Sequence, residues 1–422
     1  MKTVTMWSRR HFLERLSRVP LVGGAIAAGA APATAAPAAV ARDYFRELGV
    51  RPFINAAGTY TAMTASLMPP EVIEAITYAS KHYVMLDELH DRVGARIATL
   101  LKCEAAMVTS GAASALTLAT AGILTGTDPR KVVELPSLAG MKSDVIIQKA
   151  HRFGYDHAVR NCGVRLVEVE TRDEMERAIT PQTAMMLFYN NNNSDGRIRD
   201  EEFVAIGRKH GVPTLNDAAA DVPPVENLWK YTQMGFDLVT FSGGKGIRGP
   251  QNAGLLLGRK DLIAAAAATN NPYDEGVGRG MKVAKEQIVG MVAAVDWILG
   301  QSDETLETEF RRRADRISSE LKRIPTLEAQ IVVPPAANHV PHLLLRYDQQ
   351  RVKIAPLQVA QQLRQGEPSI ELNPATGRRE GSAGLHSDEN TIVVGVWMLE
   401  PGEDLIVGRR LHEVLSSAAG TA

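Results

Sequence analysis

The sequence predicts an α/β protein with a mostly parallel sheet that helices cover on both faces. Short apolar segments alternate with helical patterns through the middle of the 422-residue chain, as in proteins that build parallel sheets. Seven of these segments are predicted strands, at residues 105–109, 144–148, 165–170, 183–190, 213–217, 238–242 and 253–257. A hydrophobic content of 45% is enough to bury a substantial core, and the length favours two or three structural units.

The segments around the predicted sheet indicate four parts. We expect an export signal over 1–40, an arm over 41–65, a large cofactor-binding sheet domain over 66–300, and a linking helix with a smaller α+β domain over 301–422. Helical patterns occupy 70–101 and 285–324, and the second is broken near Gly300. In the C-terminal part, 342–347 and 391–398 are predicted strands and 357–363 is a predicted helix.

The N-terminus has the features of a twin-arginine export signal. Arg9 and Arg10 precede an apolar stretch over 19–31, which small residues follow at 33–36. That stretch is shorter than the roughly 20 residues of a membrane-spanning helix, and the alternative is an uncleaved amphipathic anchor. The route carries folded proteins, so we expect a cofactor bound before export, a periplasmic or extracellular location, and no stable membrane span after cleavage.

Charge, cysteine spacing and missing motifs argue against several classes. The 47 basic and 48 acidic residues leave a net charge of -1, so no nucleic-acid partner is expected. Cys103 and Cys162 lack metal-ligand spacing, and we expect no metal and two buried free thiols, although an oxidising compartment would permit a disulfide. The sequence also lacks a G-x-G-x-x-G motif that follows a strand and opens a helix, as in nicotinamide sites, and the G-K-S/T loop of nucleoside-triphosphate sites.

A phosphate-binding cup is predicted where the 105–109 strand meets the following helix. Thr109, Ser110, Gly111 and Ala112 would present hydroxyl and backbone N–H groups at the positive end of the helix dipole. Serine and threonine also cap helices that bind nothing, so this segment alone does not identify a ligand.

An aspartate and a lysine follow two later strands. Asp217 ends the 213–217 segment, with a helix N-cap as its alternative role. Lys245 lies in a glycine-rich turn after the 238–242 segment, which leaves its amine open to an aldehyde. We expect desolvation and the nearby Arg248 to lower the pKa of this lysine, and Ser242 to add a phosphate contact. A lysine that merely binds an anion is the simpler alternative.

The cup, Asp217 and Lys245 together predict a pyridoxal 5'-phosphate site. Lys245 would form an aldimine with the cofactor, and Asp217 would keep the pyridine nitrogen protonated so that the ring withdraws electrons from the substrate's Cα. His151 is expected to stack on the pyridine or assist proton transfer, and Asn190 to donate to the phenolic oxygen. Capping or surface placement for His151, and plain turn chemistry for Asn190, are the alternatives.

These motifs resemble the family that contains bacterial selenocysteine synthase (L-seryl-tRNA selenium transferase) and D-glucosaminate-6-phosphate ammonia lyase. The resemblance rests on 109–113, 216–217 and 241–251 and extends over about 43–415. It implies the aspartate aminotransferase-like fold, known as fold type I, and an active site at the interface of a homodimer or higher homo-oligomer. It also implies elimination of a β-hydroxyl, or an activated hydroxyl, from an amino acid or amino sugar acid.

Substrate contacts are expected from five residues whose segments could reach the open face of the cofactor. They are Tyr60, His90, Arg92, Arg248 and Arg279. Arginine suits carboxylate and phosphate geometry, although each of the five has a simpler role at a surface or interface. The segment 368–373 contains no arginine at the place where the resemblance implies one for the substrate.

The sequence therefore predicts an exported, pyridoxal-phosphate-dependent lyase or transferase, with β-elimination of the ammonia lyase type as the leading hypothesis. Racemase, aminotransferase and aldolase activities use the same core residues and remain alternatives. Selenium transfer is not expected, because the predicted core follows the export signal almost directly and acylated tRNA is absent outside the cytoplasm. The alternative from another class is a non-catalytic exported binding protein.

Overall fold

The computed structural model describes residues 42–270, 272–335, 337–379, 381–382 and 385–419. The predicted export signal at 1–40 lies outside these described residues. The chain divides into two compact units, Met1–Arg51 and Pro52–Ala422. The described part of the first contains a four-residue helix, α1 (Tyr44–Glu47), which the Asp43 side chain caps. The limits of the four parts expected from the sequence stay predictions.

The second unit contains fourteen strands and thirteen helices among its described residues. The strands are β1 (Phe53–Ala56), β2 (Ala105–Thr109), β3 (Asp144–Gln148), β4 (Arg165–Val169), β5 (Thr183–Tyr189), β6 (Thr214–Asp217), β7 (Leu238–Ser242), β8 (Gly254–Gly258), β9 (Glu328–Val332), β10 (His342–Arg346), β11 (Ser369–Leu372), β12 (Gly381–Ser382), β13 (Leu385–His386) and β14 (Thr391–Gly395). The helices are α2 (Pro70–Ser80), α3 (Leu86–Leu100), α4 (Gly111–Thr125), α5 (Pro129–Glu134), α6 (Asp156–Arg160), α7 (Arg172–Ala178), α8 (Asp200–His210), α9 (Asn227–Met234), α10 (Lys260–Ala268), α11 (Lys285–Leu299), α12 (Asp303–Glu320), α13 (Pro356–Gln365) and α14 (Glu403–Ala419).

The central sheet has seven strands in the order β2-β8-β7-β6-β5-β3-β4. Strand β8 runs antiparallel to its neighbours β2 and β7, and the other pairs are parallel. The carboxyl ends of β2, β3, β4, β5, β6 and β7 therefore share one edge, where open α/β sheets commonly bind ligands. The predicted mostly parallel α/β sheet is confirmed.

Apolar side chains on the two faces of the sheet build two separate cores. Along β3, Ile146 enters one core while Val145 and Ile147 enter the other, as the two-residue period of a strand requires. Because both faces are covered, β3 and most of β5 are buried, which explains their continuous apolar sequences. Among the described residues, no helix is both long enough and apolar enough to cross a bilayer.

The C-terminal part has a third apolar core of its own. Strands β14, β10 and β9 form an antiparallel sheet in that order, and β12 pairs with β13. Helices α12, α13 and α14 contribute core residues such as Ile317, Val359 and Leu411. Strand β1, from the segment expected to be an arm, pairs in parallel with β11 and places Ile54 and Ala56 in this core.

Both cysteines are free thiols. Cys162 is buried and Cys103 is half-buried. Burial raises the pKa of Cys103 to about 11 and that of Cys162 to about 12, so both thiols stay protonated and unreactive near neutral pH. In the part of the chain that the structure describes, no group of three His, Cys, Asp or Glu side chains could hold a metal ion.

Candidate active site

A cavity of about 250 Å³ opens at the carboxyl edge of the central sheet. Residues from the ends of β2, β5, β6 and β7 and from the loops that follow them line it. The lining residues are Thr61, Ser110, Gly111, Ala112, Ala113, Leu116, Tyr155, Tyr189, Asn191, Asp217, Ala219, Ala220, Asp221, Ser242, Lys245, Gln251 and Asn252. The fold thus brings together four features of the predicted site: the cup, Asp217, Ser242 and Lys245.

The first turn of α4 faces this cavity without a side-chain cap. Helix α4 begins at Gly111, and the Ser110 side chain makes no capping hydrogen bond, since its hydroxyl donates to Oδ1 of Asn252 at 2.7 Å. The first N–H groups of a helix have no partner within the helix, so this turn can bind an anion. Thr109 does not line the cavity: it is fully buried, and its hydroxyl donates to the carbonyl of Gly111 at 2.9 Å.

Lys245 lies in the 243–253 loop that joins β7 to β8. The loop is held by hydrogen bonds from Gly243 N to the Ala253 carbonyl and from Gly249 N to the Gly243 carbonyl, both 2.8 Å. The lysine is half-buried, and the loss of water around its amine lowers its pKa, while Asp217 and Asp221 oppose that change. The amine therefore holds its proton less firmly than an ordinary lysine does.

Arg248 does not act on Lys245 in the predicted way. Its Nε donates to the Leu67 carbonyl at 3.0 Å, and its Nη2 forms a 3.0 Å ion pair with Glu400. The guanidinium is not among the groups that shift the pKa of Lys245. The expectation that Arg248 lowers that pKa is wrong, because the arginine joins the lysine loop to other segments instead.

Asp217 is buried at the end of β6, with only 3% of the residue exposed. Its carboxylate accepts a 3.0 Å hydrogen bond from the backbone N–H of Ala219. Desolvation raises the pKa of Asp217 to about 6, although Ala219 and Lys245 act in the opposite direction. Residues 218–220 form a turn rather than a helix, so the alternative role of Asp217 as a helix N-cap is wrong.

A second buried carboxylate, Asp221, lines the same cavity and was not predicted. It is 1% exposed, and desolvation raises its pKa to about 7. It accepts hydrogen bonds from the Tyr231 hydroxyl, at 2.9 Å, and from the Asn190 amide. The sequence offered one signal for this residue, its position four residues after Asp217 and before Val222 and two prolines. An isolated acid at such a position is typical of a loop, so it did not indicate a site residue.

The Asn190 side chain is hydrogen-bonded to two neighbouring residues. Its Nδ2 donates to Asp221 and, at 2.9 Å, to the Tyr231 hydroxyl, and the residue does not line the cavity. The neighbouring Asn191 does. The short 3-10 turn Asn190–Asn192 begins with this side chain buried beside α9, and its contact with the cofactor stays a prediction.

His151 is also absent from the cavity lining. It is fully buried, its Nδ1 accepts a 3.3 Å hydrogen bond from Tyr189 N, and its ring meets Phe188 edge-on at 4.5 Å. Burial lowers its pKa to about 4, so the ring is neutral at pH 7. Within this chain His151 is buried behind the cavity, and its stacking and proton-transfer roles stay predictions. Tyr155 and Tyr189 are the aromatic residues that line the cavity, and Tyr189 stacks on Phe153 at 4.1 Å.

None of the five predicted substrate residues lines the cavity within this chain. Arg92 is exposed on α3, and Arg279 pairs with Asp274 at 3.7 Å. His90, also on α3, is half-buried, and its Nε2 is buried with no hydrogen-bond partner. Tyr60 and Arg248 also lie outside the lining, whereas Thr61 and Gln251 belong to it. A contribution from the five residues across a subunit interface stays a prediction.

The cavity has the groups that pyridoxal phosphate requires. Lys245 supplies a desolvated amine for the aldehyde, and Asp217 supplies a buried carboxylate for the ring nitrogen. The uncapped first turn of α4 supplies N–H groups for the phosphate, and a Cβ added to Gly254 would lie 2.5 Å from the Gly111 carbonyl carbon, which shows how tightly that turn is seated. The residues present therefore fit this cofactor.

Comparison with known proteins assigns the family. Residues 66–341 match the family model described as aminotransferase class-V, so the chain belongs to the class-V aminotransferase family. A solved structure of D-glucosaminate-6-phosphate ammonia-lyase superposes with a TM-score of 0.75 and 28% identity, covering 90% of this chain and 100% of that one. These findings confirm fold type I, and the protein is a pyridoxal-phosphate-dependent enzyme.

Three relatives match most of the chain. D-glucosaminate-6-phosphate ammonia lyase of Salmonella typhimurium is 29% identical over 392 residues, which cover 89% of this chain and 98% of that protein. The 5'-C-glycyluridine monooxygenase-decarboxylase of a Streptomyces species is 29% identical over 389 residues, covering 89% and 93%. L-seryl-tRNA(Sec) selenium transferase of Moorella thermoacetica is 26% identical and covers 87% and 83%. The resemblance drawn from the sequence motifs is confirmed.

Proposed function

We propose that this protein is an exported lyase that eliminates a β-substituent from an amino acid or amino sugar acid and releases ammonia. The observation that carries the proposal is the cavity shared by Lys245, Asp217 and the uncapped first turn of α4. The similarity to an ammonia lyase over 89% of the chain supports it. With a β-hydroxyl substrate, water is lost across Cα and Cβ, and water added at Cα then displaces ammonia to give a keto acid.

Lys245 has two tasks in this reaction. It would hold pyridoxal phosphate through the aldehyde, and after the substrate amine displaces it, the free amine would take the proton from Cα. When bound, the cofactor supplies an electron-withdrawing ring that acidifies this Cα–H bond. Burial lowers the pKa of Lys245, so more of its amine is neutral near pH 7 and able to accept that proton.

Asp217 and the first turn of α4 would fix the orientation of the ring. A cationic ring nitrogen beside Asp217 would favour the ionised carboxylate and offset the desolvation that now raises its pKa to about 6. At the other end, a phosphate would accept from the N–H groups at the start of α4. Contacts at both ends would hold the reacting Cα bonds at a constant angle to the ring.

The lining chemistry favours a hydroxylated substrate. In the described part of the lining, Lys245 is the sole cation, beside the acids Asp217 and Asp221. Thr61 and Gln251, joined by a 3.1 Å hydrogen bond from Gln251 Nε2 to the Thr61 carbonyl, supply neutral polar groups at the mouth. Such groups pair with sugar hydroxyls more readily than with a second anion, which supports an amino sugar acid.

A substrate screen tests the proposal. The purified protein, loaded with pyridoxal phosphate, is incubated in deuterated water with D- and L-serine, D- and L-threonine, and D-glucosaminate with and without a 6-phosphate. We expect one ammonia and one keto acid per substrate consumed, and exchange of the Cα proton. Binding of the cofactor without Cα exchange in any of these compounds would contradict the mechanism.

Additional measurements in the same screen separate the lyase from related activities. Oxygen uptake and carbon dioxide release would indicate the activity named for the Streptomyces relative. Inversion at Cα without ammonia would indicate a racemase, aldehyde release an aldolase, and amine transfer to an added keto acid an aminotransferase. Lys245→Ala, which removes the proposed base and cofactor anchor, is the control for all of these signals.

Export is a separate part of the proposal. Arg9 and Arg10 before the apolar stretch over 19–31 support the twin-arginine route. We expect the full chain to fractionate with the periplasm or medium, and Arg9→Lys/Arg10→Lys to keep it in the cytoplasm. Finding both proteins in the cytoplasm of a host with a working twin-arginine system would refute export.

A homodimer is also proposed. Tyr83, Val84 and Met85, between α2 and α3, are exposed apolar residues, and Tyr83 has essentially its full surface in contact with solvent. Apolar surface of this kind is typical of an interaction site. We expect sedimentation to give a dimer, and Tyr83→Glu/Met85→Glu to shift it toward monomer, with Tyr44→Glu at another exposed tyrosine as control. A monomeric, fully active wild type would contradict the proposal.

A further inference from the structure

A hydrogen-bonded trio of buried residues separates the active-site cavity from a second polar cavity. Asp221 lines the first cavity, while Tyr231 and Asn190 line the second, which has a volume of about 320 Å³. The Tyr231 hydroxyl donates to Asp221 at 2.9 Å, and Asn190 Nδ2 donates to both Asp221 and that hydroxyl. One carboxylate thus faces Lys245 on one side and a second route to solvent on the other.

The second cavity is suited to ordered water. Asn190 is 4% exposed, and its Oδ1 is a buried acceptor with no hydrogen-bond partner, as is Oδ1 of Asn193 in the same lining. Buried acceptors of this kind normally accept from ordered water. Lys230 and His339, both exposed, also line the cavity, so it communicates with bulk solvent.

The charges around Asp221 hold it close to its titration point. Desolvation and Asp217 favour its protonated form, while Tyr231, Asn190 and Lys245 favour the carboxylate, and its pKa is raised to about 7. Tyr189 and Tyr231, which also face Asp221, have raised pKa values and stay neutral. Beyond them, the second cavity carries opposed charges: Arg199 and Lys230 against Asp200 and Glu226. A group with a pKa near the working pH exchanges protons in both directions.

We propose that Asp221 and Tyr231 form a proton relay between the amine of Lys245 and water in the second cavity, with Asn190 holding both in position. The relay rests on the proposed role of Lys245 in moving the Cα proton. When Asp221 receives a proton from Lys245, it donates that proton to the oxygen of Tyr231. The Tyr231 hydroxyl hydrogen, which points to Asp221 while Asp221 is ionised, turns away and leaves to water in the second cavity. The Lys245 amine can then become neutral again while substrate covers the first cavity. Asp221 and Tyr231 end the transfer in the protonation states in which they began it.

A titration of the cofactor-loaded enzyme tests the link between Asp221 and Lys245. The absorbance of the bound cofactor reports protonation of the Lys245 nitrogen, measured from pH 5 to 10 without substrate. Because the Asp221 carboxylate raises the pKa of Lys245, we expect Asp221→Asn to lower the titration midpoint by about 1 pH unit. Asp221→Glu, which keeps the charge, should restore most of it. An unchanged midpoint in Asp221→Asn would overturn the link.

A pH-jump experiment tests the relay itself. After a rapid change of pH, we expect the cofactor absorbance to respond more slowly in Asp221→Asn and in Tyr231→Phe, by on the order of tenfold or more. Tyr347→Phe is the matched control, because its buried hydroxyl donates to the Ile354 carbonyl at 2.9 Å in the separate C-terminal core. Equal relaxation rates in wild type and Tyr231→Phe would refute the relay even if Asp221→Asn failed to fold.

A measurement independent of the cofactor separates this inference from the proposed function. The pH dependence of Lys245 acetylation by acetic anhydride, followed by mass spectrometry on the cofactor-stripped chain, reports the pKa of the free amine. We expect a lower midpoint in Asp221→Asn than in wild type, whatever reaction the enzyme catalyses. An unchanged midpoint would count against the Asp221–Lys245 coupling. A relay signature in a protein that never releases ammonia would sink the lyase proposal alone.

Discussion

Gly254 lies directly against Gly111, so that a Cβ built on Gly254 would come within 2.5 Å of the Gly111 carbonyl carbon and 2.7 Å of Ala112 N. The contact arises because Gly254 begins β8 and pairs with Thr109 on β2, the residue two positions before α4 starts. The first turn of α4 is thus seated on the start of β8 without an intervening side chain. Its N–H groups are held at the floor of the cavity.

Gly254→Ala should therefore weaken the cofactor's phosphate contacts. The new methyl group has backbone on every near side, so the first turn of α4 must shift. We expect the dissociation constant for pyridoxal phosphate to rise at least about tenfold, a loss of one charge-assisted hydrogen bond or more. Fluorescence titration measures it. Gly280→Ala, where an added Cβ meets nothing within 4 Å, is the control, and equal affinities in the two variants would contradict this placement.

Lys245→Ala should abolish covalent attachment of the cofactor. Borohydride reduction of the loaded wild type should fix pyridoxal phosphate on the 243–253 loop, and mass spectrometry of the peptide should locate it. Lys230→Ala, an exposed lysine at the second cavity, should retain full attachment. Attachment that survives in Lys245→Ala would mean that another amine binds the aldehyde.

The raised pKa of Asp217 predicts a pH dependence of stability in the cofactor-free protein. Its folded value of about 6 lies above the ordinary 3.8, so ionisation costs stability as pH rises from about 4 to 6 and beyond. Asp217→Asn keeps an acceptor for Ala219 N and removes the buried charge. We expect it to be more stable than wild type at pH 8 by on the order of 1–3 kcal/mol, with the difference shrinking toward pH 4.

Asp144→Asn is the matched control with the opposite sign. Asp144 is also buried, but Arg165 bonds its carboxylate at 2.7 Å and lowers its pKa. Its stabilisation is present above the ordinary pKa and is lost as pH falls, so Asp144→Asn should destabilise at pH 8. Thermal unfolding at pH 4, 6 and 8 compares the two. If Asp217→Asn is less stable than wild type at all three pH values, the conclusion that desolvation of the Asp217 carboxylate costs stability is refuted.

Arg248→Ala should lower stability without changing the titration of Lys245. The substitution removes the hydrogen bond to Leu67 and the partly exposed ion pair with Glu400, together about 1 kcal/mol. Arg279→Ala, whose pair with Asp274 is long and exposed, should be nearly neutral. Denaturant unfolding and the absorbance titration measure both effects. A shifted Lys245 titration in Arg248→Ala would restore the electrostatic role expected from the sequence.

The central strands were predictable because their sequences are constrained on both faces. The predicted limits of β2, β3 and β7 agree with the structure residue for residue, since apolar runs end there at polar or glycine residues. Strand β8 begins and ends one residue later than predicted, because its pairing with β2 and β7 runs from Gly254 to Gly258. The β1–β11 pair was not predicted: it joins two short segments of four residues that lie far apart in the sequence.

The site was predictable for the residues that strand ends place directly at the cavity. Lys245, Asp217 and the start of α4 follow strands that end at one edge, and they share the cavity as expected. His151 and Asn190 also follow strands, but each enters a short 3-10 turn that buries its side chain beside Phe188 or Asp221. The position of a residue after a strand predicts which part of the fold it lies in. It does not predict where its side chain points after a tight turn. The position of Asp221 depends on contacts with residues that are distant in the sequence, and the sequence alone does not predict those contacts.

The connection between β7 and β8 contributes residues at two places in the cavity. Lys245 lies near the beginning of this connection and Asn252 near its end, where Asn252 also accepts the Ser110 hydroxyl beside the start of α4. One short stretch of backbone thus carries Lys245, which would bind the aldehyde, and Asn252, which contacts the segment that would bind the phosphate. Lengthening this loop would displace both residues at once. Changes in substrate range are therefore easier at Thr61, Tyr155 and Asn191, because other segments form the cavity walls there.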